Sequence, residues 1–257
     1  MPRTPVRAVV VSALSAGALL AAPACSVSWP DRAASAGPAS PAAPSGRTRP
    51  PAAAPTLTEA QARSALITEA DLGEPWVATE GFATWRDTML KASTDSAECR
   101  RLLDALYAED LFGPDARTRA STGLDDTWDG AQLRYRIVAH RPEDVDATLA
   151  WLGSLPDECG QFSATARGGQ LDVEVSEAEM PQVGDARQGL RIVLRGVSDS
   201  EEAPTLTLHL AAVRVGDDAI TVTNGGLADV PADATWTAVE LGAQRLDEVQ
   251  KRGRQDV

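Results

Sequence analysis

Apolar residues recur along this chain with two different periods, and the change from one to the other marks its elements. Thr58-Glu-Ala-Gln61 has the form of a capping box and opens a short helix to about Leu66. A second turn over Thr68 to Leu72 is stopped by Gly73 and Pro75. Near Ser96 to Tyr107, Leu102, Leu103 and Leu106 form one apolar side, with Cys99 a turn earlier. Pro142, Glu143 and Asp144 start a further helix, with Val145, Leu149 and Leu152 at helical spacing and Cys159 at its close. The last helix spans about Asp233 to Val249, with Trp236, Val239, Ala243 and Leu246 on one stripe.

Elsewhere the period is two. Leu133, Tyr135, Ile137 and Ala139 alternate with Arg134, Arg136 and His140. Leu171, Val173 and Val175 alternate with acidic positions, and Leu190, Ile192 and Leu194 with Arg191 and Arg195. Leu206, Leu208 and Leu210 alternate with Thr207 and His209, and Gly216-Asp217 turns the run back into Ile220 and Val222. Such alternation predicts a mainly antiparallel sheet with helices packed on one face, an α+β fold.

The N-terminus follows neither period. Two arginines precede an apolar run from Ala8 to Ala22, and Pro23-Ala24 leads to Cys25, the tripartite pattern of a secretory leader over residues 1–24. A cysteine at the first mature position reads as a lipobox, its thiol diacylated and held at the outer face of the cytoplasmic membrane. An ordinary leader that happens to be followed by cysteine is the alternative, since position 22 is Ala rather than the usual Leu. The run is shorter than the roughly 20 residues a spanning helix needs. Residues 25–57 are rich in Ala, Pro and Ser, too poor in bulky apolar groups to offset ordering entropy, and read as a disordered tether. One extracytoplasmic domain is expected over 58–253.

Charge narrows the partners. Past the leader, 22 basic residues face 37 acidic ones, a net of −15 that repels nucleic acid and anionic headgroups. The membrane is therefore met through the lipid alone. If Cys25 is acylated, Cys99 and Cys159 are left as a pair able to form a disulfide outside the cytoplasm, against the alternative of two buried thiols.

Catalytic motifs are scarce. No nucleophile elbow, zinc-protease helix or phosphate loop occurs, and no cofactor or metal is expected. Asp125-Asp-Thr-Trp-Asp129-Gly130 has half of a calcium loop, but the twelfth position is Arg136 where a glutamate is required, so it reads as an acidic turn. The candidate binding residues are the polar members of the strands: Arg134, Arg136, His140, Arg191, Arg195, Thr207 and His209. Clustered guanidiniums there would hold a carboxylate or phosphate. Pairing with Asp172 and Glu174 across strands is the plainer alternative. Trp76, Trp128, Trp151 and Trp236 are expected in the core.

Several landmarks together resemble the PknH-like extracellular sensor domain. They are Leu66-Ile-Thr-Glu-Ala-Asp-Leu-Gly73 with Trp76, Cys159 after the Pro142 helix, and Gly184-Asp185 before a strand. Val213-Arg-Val-Gly-Asp-Asp-Ala-Ile-Thr-Val222 and the terminal helix complete the likeness, over roughly residues 60–250. The resemblance implies a sheet-and-helix domain whose cleft receives an extracytoplasmic small molecule, lipid or protein. Members often carry two disulfides; one pair is available here. A lipid-anchored, non-catalytic sensor module is the expected function. An envelope hydrolase using His140 or His209, or an unlipidated secreted interaction protein, are the alternatives.

Overall fold

A computed structural model describes residues 57–198 and 203–255. The leader, Cys25 and the tether, apart from Leu57, lie outside the described residues. The elements run α1 (Glu59–Ser64), α2 (Glu69–Leu72), β1 (Trp76–Ala78), a π-helical turn (Arg86–Leu90) and α3 (Ala97–Ala108). Then come β2 (Arg117–Asp126), β3 (Gln132–Ala139), α4 (Pro142–Glu158), β4 (Gln161–Ala166) and β5 (Gly169–Glu177). The chain continues through β6 (Ala186–Gly196), β7 (Thr205–Val215), β8 (Asp218–Leu227) and α5 (Asp233–Gln255). The eight strands make one antiparallel sheet in the order β1-β2-β3-β8-β7-β6-β5-β4.

Local chemistry sets the helix ends where the sequence indicates. Thr58 N donates to Gln61 Oε1 (2.9 Å) while Gln61 N donates to Thr58 Oγ1 (3.2 Å), so the first capping box is closed in both directions. Asp71 does the same for Thr68 at 2.7 Å, and Gly73 ends α2 with a positive φ of 74°. Pro142 occupies the first turn of α4, where its missing N–H costs nothing.

The α+β expectation holds, but the helices cover both faces of the sheet rather than one. Along β7, Leu206, Leu208, Leu210 and Ala212 pack with Leu149, Leu152 and Leu155 of α4 and with α3. The intervening Ala211, Val213 and Val215 pack with Val239, Ala243 and Leu246 of α5 and with α1. Alternate residues of a strand point to opposite faces, so α4 and α5 lie on opposite sides. Polar side chains at Thr207, His209 and Asn224 give β7 and β8 an alternating look, yet each is 5% exposed or less. On the α5 face the helix closes directly over β3: a Cβ on Gly242 would meet Tyr135 Cε2 at 2.6 Å.

On the opposite face Cys99 at the start of α3 and Cys159 at the end of α4 form a disulfide, with Cα atoms 5.6 Å apart and a sequence separation of 60. In the chain-entropy model that loop is worth about 4 kcal/mol. Reduction is expected to lower the midpoint of denaturant unfolding accordingly, and thiol alkylation to reach Cys99 and Cys159 only after reductant. Labelling of either in the native, unreduced protein would refute the pairing.

Candidate functional site

The strand residues singled out above do not converge. Arg134, Arg136 and His140 sit on the α3–α4 face of β3, whereas Arg191, Arg195, Thr207 and His209 sit on the α5 face of β6 and β7. Arg134 and the buried Arg86 both lie 3.3 Å from Glu109, and Phe82 covers both guanidiniums at 4.8 and 5.6 Å. Arg86 also donates to the carbonyls of Leu106 and Tyr107, so this cluster anchors the end of α3. Arg136 donates to Thr118 Oγ1 (2.5 Å), and His140 lies 3.6 Å from Asp144. Arg195 pairs with Glu174 on the neighbouring strand (3.1 Å) and Arg191 with Asp229 (3.4 Å).

Two expectations need correction. His209 is not on a solvated face: it is buried, Nε2 donates to the Val230 carbonyl (2.8 Å), and Trp236 meets its ring edge-on. Trp128 is not in the core: it stands 75% exposed on the β2–β3 turn. That turn is the acidic segment, where Asp126 Oδ1 accepts from the backbone of Trp128 and Asp129. Among the described residues no group of acids, histidines or cysteines is placed to hold a metal ion.

What the side chains do build is a pocket at the other end of the sheet, where the described chain begins. Leu57 and Gln61 of the α1 region, Val249, Gln250, Gly253 and Arg254 of α5, and Arg119, Ala139, Asp217 and Asp218 of the sheet line it. The cavity is about 100 Å³. Its geometry follows from one irregularity. The β2–β3 register slips between Thr118 and Ala120, leaving Arg119 as the extra residue of a β-bulge. The bulge turns Arg119 toward the α5 face instead of away from it, and its Nε is buried with no hydrogen-bond partner. Small Ala139 on β3 leaves room beside it.

Opposite Arg119, across β3, stand the carboxylates of the β7–β8 turn. Asp218 is buried and accepts from Gln250 Nε2 (2.9 Å), an amide also bound to the Val215 carbonyl (2.8 Å). Burial pushes the Asp218 carboxyl above its ordinary range, against the pull of the Gln250 hydrogen bond and of Arg119. Gln61 spends its Oε1 on the α1 cap, leaving its Nε2 beside Gly253 at the pocket wall. Pattern reading missed Arg119 because Arg117-Thr-Arg-Ala-Ser-Thr is almost without bulky apolar residues and the bulge breaks its alternation. It missed Gln250 because a glutamine late in a helix gives no pattern of its own.

No family model matches the chain, and no curated protein matches it. Among solved structures it is similar to the extracellular domain of PknH from Mycobacterium tuberculosis, with a TM-score of 0.41 and 12% identity over 77% of this chain and 99% of that one. A hypothetical protein from Helicobacter pylori has a TM-score of 0.30 and 15% identity, covering 49% of this chain and 85% of its own. The Saccharomyces cerevisiae Ran-binding protein Mog1p has 0.27 and 9%, covering 53% and 77%.

The burial of His209 has a measurable consequence. Burial holds its imidazole below the ordinary value near 6.5, outweighing the hydrogen bond to Val230. The folded protein therefore favours the neutral ring. This costs nothing while the unfolded ring is also neutral, and costs stability once acid protonates the unfolded ring. The urea midpoint is expected to fall between about pH 7 and about pH 5, and His209→Gln to flatten that slope. A wild-type slope unchanged in the variant would count against it.

Proposed function

We infer that this chain is a lipid-anchored, non-catalytic binding module on the outer side of the cytoplasmic membrane, and that its ligand seats in the pocket around Arg119. The observation that carries the ligand-binding part is the Arg119 guanidinium: a charged N–H, buried without a partner, on a bulge that aims it into a cavity. Leaving such a donor unpaired is costly, so it is a poor structural device and a good recognition one.

Export is supported by the leader pattern, by Cys25 and by the disulfide, which persists in oxidising compartments. Among the described residues no helix is long and apolar enough to cross a membrane, which leaves the acyl chain on Cys25 as the anchor in this reading. The non-catalytic reading is supported by the two histidines. They stand on opposite faces of the sheet, one buried against Val230 and one against Asp144.

Two experiments test the two halves separately. In cells, the wild-type chain is expected to sediment with membranes and Cys25→Ser to be released; a Cys25→Ser chain that still sediments, or a native N-terminus of unmodified mass, removes the anchor. For the pocket, the purified chain is screened by nitrogen-15 NMR against small acids, amines, zwitterions and neutral apolar compounds. Saturable shifts at the Gln61 side-chain amide are expected, and a screen without any removes the binding site.

A further inference from the structure

The distribution of charge within the pocket identifies its ligand more closely. Donors occupy one wall: Arg119 on the β2 bulge and the Nε2 amide of Gln61 on α1. Acceptors occupy the facing wall: Asp217 and Asp218 at the β7–β8 turn. Between them runs β3, represented by Ala139, which pairs with Arg117 on one side and with Asp218 on the other. Two strand spacings therefore separate the walls, about 10 Å between backbones. After the side chains reach inward, that is room for one small molecule. The floor is apolar, made by Leu57, Ala139 and Val249.

Arg119 acts on Asp218 through space, but no ion pair closes the gap between the walls. None of the ion pairs among the described residues joins Arg119 or Arg254 to Asp217 or Asp218. A simple anion placed on Arg119 would face two carboxylates across the pocket, and a simple amine placed on the carboxylates would face two guanidiniums. A molecule carrying both charges a few ångströms apart satisfies both walls. Size bounds the enclosed part: a 150 Å³ cavity holds the six heavy atoms of benzene, so about 100 Å³ encloses about four. An ammonium, an α-carbon and a carboxylate come to five, which already fills it, so a side chain has to lie toward the exposed side at Asp217 and Arg254.

Resting on the reading of this pocket as a binding site, we propose that it takes a small aliphatic α-amino acid as its zwitterion. The carboxylate sits on Arg119 Nε and the Gln61 amide, and the ammonium sits between Asp217 and Asp218. Arg254, exposed at the rim, adds attraction for the carboxylate as it approaches.

The test uses L- or D-valine with its two half-analogues, 3-methylbutanoate and isobutylamine, titrated into the purified chain by calorimetry and NMR at neutral pH. Valine is expected to bind saturably with shifts at Gln61 and Gln250. Each half-analogue is expected to bind about tenfold or more weakly, since each leaves one charged wall unpaired. Arg119→Gln is expected to weaken valine by about tenfold or more. Should that variant not fold, Asp217→Asn at the exposed turn serves instead: it is expected to narrow the gap between valine and 3-methylbutanoate.

The acid binding as tightly as valine, with shifts at the same residues, overturns the zwitterion and leaves the pocket standing. No binding of valine, when other compounds in the screen do shift Gln61, overturns the zwitterion in the same way. Silence of valine, both half-analogues and the whole screen overturns the site itself.

Discussion

Burial of β7 and β8 from both sides is the constraint on which the rest of the architecture depends. A strand with apolar side chains on both faces needs a cover on each, and a single helical layer supplies only one. The covers come from the two longest helices. The crossover from β3 to the far edge at β4 carries α4 over one face, and the chain after β8 carries α5 back over the other. Each then fixes smaller pieces: α4 holds α3 through the disulfide, and α5 holds α1 and α2. The bond from α5 to α2 is an ion pair, with Arg245 donating to both Asp71 oxygens at 2.8 and 2.5 Å and to the Leu66 carbonyl at 2.9 Å. Arg245 holds the Asp71 carboxyl down at about 2, so this clamp persists through all but strongly acidic conditions.

Where local chemistry decides a feature, it was legible in the residues. Thr58 with Gln61, Pro142, Gly73 and the Gly216-Asp217 turn each act through neighbours a few positions away. The structure has them in the roles their types imply. What could not be read was the second buried face. Thr207, His209 and Asn224 are polar, and polarity in a strand ordinarily signals solvent. That face is covered by Val230 of the β8–α5 connection and by Trp236 of α5, which the strand's own pattern does not announce. Strand β2 was illegible for the opposite reason: its buried members are Ala120, Gly123 and Leu124, so no apolar rhythm marks it.

The same contrast explains why the binding residues suggested by alternation dispersed while others converged. Alternation sorts side chains by face but says nothing of position along the strand or of what lies above. Arg134 and Arg195 are both polar members of regular strands, yet they end on opposite faces and find Glu109 and Glu174 nearby. Arg119 escaped such pairing because a register slip turned it out of the ladder's rhythm. In an acidic chain, where most guanidiniums meet a carboxylate or a carbonyl, a buried nitrogen without one is conspicuous.

Leu57, buried just ahead of α1, is also part of the pocket's lining. The entry to the first helix and the pocket therefore share a side chain. A molecule packed against Leu57 would also hold the start of α1, whose cap follows at Thr58. Linkage is reciprocal: whatever stability an occupant lends to that first turn, the ordered turn returns as affinity.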